Sequence, residues 1–101
     1  MATVTPSPGL VSIVASGGTA VVAAGPTANG IIITNPLTAT DQGIGSAEPL
    51  YINPVTTAGV AGNGTTFALA PGQSWSLNFG QTTNTSVNAP TSGHQFSVVV
   101  F

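Results

Sequence analysis

The chain has 101 residues with no Lys, no Arg and no Cys, a single His, and Asp41 and Glu48 as its only acids. Nucleic-acid binding and attachment to anionic membranes both depend on cations, so neither partner is expected. Without cysteine there is no disulfide, and the sequence does not set a redox compartment.

A chain of this length is read as one domain with one modest core. Only 2% of its residues are charged, against about 25% in ordinary domains. The surface must therefore be built from 15 Thr, 9 Ser, amides and backbone. Near-zero net charge promotes association, which suits a protein that works packed against others. The Val, Ile and aromatic content and the positive mean hydropathy argue against disorder. No apolar run approaches the roughly 18 residues of a membrane span, and no basic n-region marks a secretory signal.

Helices are nearly excluded, because the longest segment free of Gly and Pro is Gln81 to Ala89. Residues 1–9 carry Pro6 and Pro8 and read as an extended arm, with Val4, Pro6 and Pro8 as candidate contacts to a neighbour. Residues 10–101 form the domain. Leu10 to Val14 is the first expected strand and Thr19 to Ala24 the second. Asn29-Gly30 turns into Ile31 to Asn35, apolar on both faces and so placed centrally in a sheet. Leu37 to Ala47 reads as a long polar surface loop holding Asp41. Glu48 to Asn53 is a short strand bracketed by Pro49 and Pro54, which points to a sheet edge. Leu50, Tyr51 and Ile52 are then candidate interface residues.

After a small, flexible loop from Val55 to Gly64 comes the most informative stretch, Thr66 to Phe79. Phe67 and Leu69 alternate before Pro71-Gly72, and Trp75, Leu77 and Phe79 alternate after it. A period of two means half-buried strands. Pro followed by Gly suits a type II turn, which splays a tight hairpin, so the two strands are expected in different sheets with Trp75 between them. Gln81 to Asn88 is a Thr-rich strand with little beyond Val87 to bury. The last strand, His94 to Phe101, sets Phe96, Val98 and Val100 on one face. The expected core is thus Phe67, Leu69, Trp75, Leu77, Phe79, Phe96 and Val98. Eight short strands at this spacing predict an all-β sandwich, Ig-like or jelly-roll-like, with no substantial helix.

No constellation for chemistry stands out. No Ser occupies a nucleophile elbow, and Asp41 is remote in sequence from His94. His94 follows Gly93 at a strand start, where a turn-capping or surface role is expected. Two isolated acids and one His fall short of a zinc or calcium ligand set. The glycine pairs lack the lysine of a phosphate cradle. Neither catalysis, a cofactor nor a metal is expected. The sequons at Asn63 and Asn84 are matches that a Thr-rich chain produces by chance. Tyr51 and Trp75 are read as core, with sugar stacking as the other role open to them.

Four blocks carry a resemblance: Asn29-Gly30-Ile31-Ile32-Ile33-Thr34-Asn35-Pro36, Ala47 to Val55, Gly62 to Trp75, and Val87 to Phe96. They resemble a family of small virion structural proteins of tailed bacteriophages, whose members carry a Lys after Gly-His where this chain has Gln95. The resemblance implies a non-enzymatic protein of the phage particle, assembled in the bacterial cytoplasm. Its expected role is capsid decoration or cementing, with copies of itself or a major capsid protein as partners. The alternative is a host-recognition or carbohydrate-binding module of a tail or fibre. The resemblance carries over no functional residue.

Overall fold

In the computed structural model, residues 7–12, 21–25, 27, 29–55, 58–59, 65–91 and 93–100 are described. In chain order they form β1 (Ser7–Ser12), β2 (Val21–Ala24), β3 (Ile31–Thr34), α1 (Ala39–Gln42), β4 (Leu50–Asn53), β5 (Phe67–Leu69), β6 (Ser74–Leu77), β7 (Thr85–Asn88) and β8 (Gln95–Val100). β1 starts at Ser7, so the last three residues of the expected arm are sheet, with Pro8 opposite Val99. Val4 and Pro6 lie outside the described residues.

Two antiparallel sheets result, ordered β1-β8-β3-β6 and β2-β7-β4-β5. The pairings β1 with β8, β2 with β7, β3 with β6 and β4 with β5 are those of one long hairpin with its tip between β4 and β5. Successive rungs of that hairpin alternate between the sheets. Pairing of β3 with β8, and of β4 with β7, then joins the rungs within each sheet. This is a jelly roll, one of the two sandwich types expected.

The Pro71-Gly72 corner does what its residues predict. Gly72 takes φ 85°, and Gln73 N–H closes the turn on Ala70 O at 3.0 Å. β5 enters it from one sheet and β6 leaves it in the other. The core does not centre on this stretch, however. Its fully buried members are Ile31 and Ile33 of β3, Leu50 and Ile52 of β4, Val87, Ala89 and Phe96. Leu69 and Val98 join them as expected, while Phe67, Trp75 and Leu77 are only half buried and pack on the margin. The reason is position: β6 is the outer strand of its sheet, so Trp75 covers the end of the core, tilted on Phe67 at 5.4 Å between ring centroids. Phe79 is not core at all. The strand stops at Leu77, and the ring beyond it is 63% exposed.

Two further expectations are corrected. β4 is an interior strand, flanked by β5 and β7. Leu50 and Ile52 are therefore buried core and Tyr51 half buried, and none of the three offers an open edge. Every residue of β7 is buried although three of the four are polar. Val87 faces the core, while the outer face is covered by the β4–β5 connection. There Ala58 N–H donates to Ser86 Oγ at 2.7 Å, and Asn88 Nδ2 donates to Ala58 O at 3.1 Å. Nearby, Asn53 Nδ2 donates to Thr66 Oγ1 at 3.0 Å.

In the other sheet the described side chains of the outer face on β8, β3 and β6 stay exposed or half buried. Ile32 is exposed at its centre, between Ser76 and Val99 in register, and the Thr34 and Ser74 hydroxyls meet at 2.7 Å.

Candidate functional site

The expected loop between β3 and β4 contains one helical turn that builds a polar cluster. Thr38 Oγ1 caps it by accepting Asp41 N–H at 3.1 Å. Gly43 ends it at φ 74°, with Ile44 N–H donating to Ala39 O and Gly43 N–H to Thr40 O, the two bonds of a Schellman closure. The turn aims Gln42 inward, where it is fully buried.

Gln42 meets Asn35 and Glu48 inside this wall. Its Nε2 lies 2.8 Å from Pro36 O, 3.1 Å from Asn35 Oδ1 and 3.2 Å from Glu48 O, and its Oε1 accepts Glu48 N–H at 3.0 Å. Asn35 Nδ2 donates to Glu48 O and to Leu69 O, each at 3.0 Å. The Asn35 backbone is held as well, by Gly72 N–H at 2.8 Å and by donation to Gln73 O at 2.9 Å. One residue therefore ties the end of β3 to α1 and the entry of β4 through its side chain, and to the Pro-Gly corner through its backbone.

His94 completes the cluster from the start of β8. It is fully buried, so the expected surface or turn-capping role is corrected. Its Nε2 is 2.8 Å from Asn35 Oδ1 and its Nδ1 is 3.0 Å from Glu48 Oε1. Glu48 Oε1 also accepts Thr91 N–H at 2.9 Å, and Oε2 accepts the Thr91 hydroxyl at 2.7 Å. Burial raises the Glu48 carboxyl, but the hydrogen bonds from His94 and Thr91 outweigh it, and the net direction is below the ordinary carboxylate value. Stability from this carboxylate is present above that ordinary value and is lost as pH falls through the lowered one.

Chemically, the cluster fastens and does not present. Both His94 nitrogens are spent on protein atoms, and the ring has no solvent face to offer a reactant. Among the described residues no three His, Cys, Asp or Glu side chains gather as metal ligands. Every buried side-chain N or O there has a partner. Sequence reasoning missed Asn35, Gln42, Thr91 and the pairing of His94 with Glu48. The available signal was scarcity, because a chain with one His and two acids has few ways to satisfy a buried one.

Among the described residues, two surfaces suit a partner. One is the uncharged outer face of β8, β3 and β6 around Ile32. The other is a groove of about 410 Å³ beside Phe79, walled by Pro54, Val55 and Leu77 and edged by Thr82 and Thr83. No protein family, curated protein or solved structure matches the chain.

Proposed function

We propose that the chain is a non-enzymatic structural protein of a phage particle, a decoration or cement subunit that binds copies of itself or the major capsid protein. The observation that carries this reading is the open outer face of the β1-β8-β3-β6 sheet. Ile32, Val99, Thr34, Ser74, Ser76 and Ser97 occupy it, and no ionisable side chain does. Burying such a face costs none of the desolvation that charged groups demand. Jelly rolls recur in viral capsid domains, which supports the reading by analogy of fold alone.

The edges of the sandwich fit the same role. β1 holds Pro8, β2 has a register shift between Val22 and Ala24, and β5 is three residues long. Proline, bulges and short strands are the devices that blunt an edge. β6 is also short, at four residues, but has neither proline nor bulge, so strand addition between copies belongs at β6 and not at the Glu48–Asn53 segment.

Contacts without charge are nearly insensitive to ionic strength. Purified particles should contain the chain in hundreds of copies by quantitative mass spectrometry and retain them through a wash in concentrated monovalent salt. Its absence from particles sinks the reading, and its loss on salt alone sinks the uncharged mechanism.

The Phe79 groove favours the second reading, a carbohydrate-binding module of a tail or fibre. An exposed aromatic ring beside threonine hydroxyls is a surface on which a neutral sugar stacks and hydrogen bonds. Phe79 is the ring to test, since Tyr51 and Trp75 are half buried. A few to a few dozen copies per particle would select this reading.

A further inference from the structure

Two apolar features sit at opposite ends of β6, and the outer edge of that strand runs between them. At its start, Leu37 lies beside the Pro71-Gly72 corner, where a Cβ placed on Gly72 would come within 3.0 Å of Leu37 Cδ1. At its end is the groove walled by Pro54, Val55, Leu77 and Phe79. Leu37 is 68% exposed, Phe79 63% and Val55 58%, the three most exposed large hydrophobic residues among those described. Apolar groups gathered on a surface mark a contact site.

The edge between these ends has backbone hydrogen bonds to give. Asn35 N–H donates to Gln73 O at 2.9 Å, and β3 follows β6 in unbroken register from Thr34 opposite Ser74 to Ile31 opposite Leu77. Bonded and non-bonded pairs alternate along an antiparallel ladder. Trp75 and Leu77 therefore bond to β3, and the N–H and C=O groups of Ser74 and Ser76 point away from the sheet. No described strand lies on that side of β6. A row of such groups is a template for another strand.

We propose that two copies of the chain pair antiparallel along β6, Ser74 of each opposite Ser76 of the other, in a two-fold dimer. The outward backbone groups of the two strands then satisfy one another, with the Trp75 residues facing across the axis. Antiparallel pairing also brings the start of one β6 to the end of the other, and along this register Pro71 falls opposite Phe79. Leu37 and the Pro-Gly corner of each copy thus cover the Phe79 groove of its mate. The same contact is made twice, as a two-fold interface requires.

A second copy is the occupant that fits both features at once. Its edge matches by symmetry, and its corner supplies the apolar group that the groove lacks. With no Lys or Arg and only two acids in the chain, little repulsion opposes the pairing. An edge of four residues is short, so the covered ends supply the rest of the contact. Val22 and Ile32 stay outside it. The two four-stranded sheets become one continuous sheet, and their outer faces are left for a further partner. The dimer rests on the reading that copies of the chain bind one another, and it closes the groove that a sugar would need.

Sedimentation velocity of the purified chain, without particles, tests the pairing separately from the virion reading. At a concentration on the order of 100 μM, above the micromolar end of the range for specific interfaces, the chain should run as a dimer. Amide hydrogen exchange should find Ser74 and Ser76 protected at that concentration and released on dilution, while Trp75 and Leu77 stay protected throughout. Ser76→Pro removes an outward N–H that β3 does not use, a place where an edge strand tolerates proline. That variant should keep its circular dichroism spectrum and run as a monomer. Leu37→Asp should raise the dissociation constant roughly tenfold or more. A monomeric wild type at that concentration overturns the pairing, and so does a dimer whose Ser74 and Ser76 amides exchange freely. Should Ser76→Pro fail to fold, the wild-type exchange pattern decides alone. A chain that is monomeric in solution yet abundant on particles sinks the dimer and leaves the virion reading standing.

Discussion

Phe96 and Phe79 are the same residue type, and the fold uses them in opposite ways. Among the described residues Phe96 is the largest fully buried side chain, held between sheets on β8, whereas Phe79 stands 63% exposed beyond the end of β6. Phe96→Ala should therefore cost about 3–5 kcal/mol through lost burial and the cavity left behind. Trp75→Ala should cost less than that, because only part of its ring is withdrawn from water. Phe79→Ser should stay within about 0.5 kcal/mol of wild type, as surface changes do. Urea denaturation of the three variants measures that order, and a Trp75 cost above that of Phe96 would contradict it. Residue-scale reading of the sequence had the right types and the wrong centre. Alternation names the face of a residue, but it does not say whether its strand is inside or at the rim of a sheet.

At the scale of elements, the corner was legible because Pro71 and Gly72 can hardly do anything else. Its geometry gives a prediction with two signs. Gly72→Ala puts a Cβ on a residue at φ 85° and within 3.0 Å of Leu37 Cδ1, so it should destabilise by about 1–2 kcal/mol. Gly45→Ala meets nothing within 4 Å, and its φ lies outside the left-handed region. That variant should gain about 0.4–1 kcal/mol by restricting the unfolded chain. Thermal melts that moved both variants the same way would show that the corner is not a constraint. Other elements were hidden for identifiable reasons. The prolines around β4 marked strand ends and were mistaken for an edge. The polar residues of β7 looked too poor to bury, because their cover comes from a connection that brings Ala58 onto Ser86 and Asn88. A cluster joining residues 35, 42, 48, 91 and 94 has no local signature, since only the fold brings its parts together.

For the whole molecule, the composition was the strongest signal and the topology explains how it is used. Among the described residues the jelly roll gathers His94 and Glu48 in one polar cluster and leaves Asp41 on α1. In one sheet the β4–β5 connection covers the outer face of β7, although Val22 and Ala68 beside it stay exposed, and the other sheet presents hydroxyls and aliphatic side chains of β8, β3 and β6. A particle contact of standard size, on the order of 1,600 Å² in total, would draw on that face and on the unblunted β6 edge. For the proposed decoration role, the most direct test is a density map of a phage particle with this chain placed. The account predicts many copies on the shell, with Ile32, Ser76 and Val99 turned toward a neighbouring subunit. Copies confined to a tail or fibre tip, with that face bare and the Phe79 groove pointing outward, would contradict it.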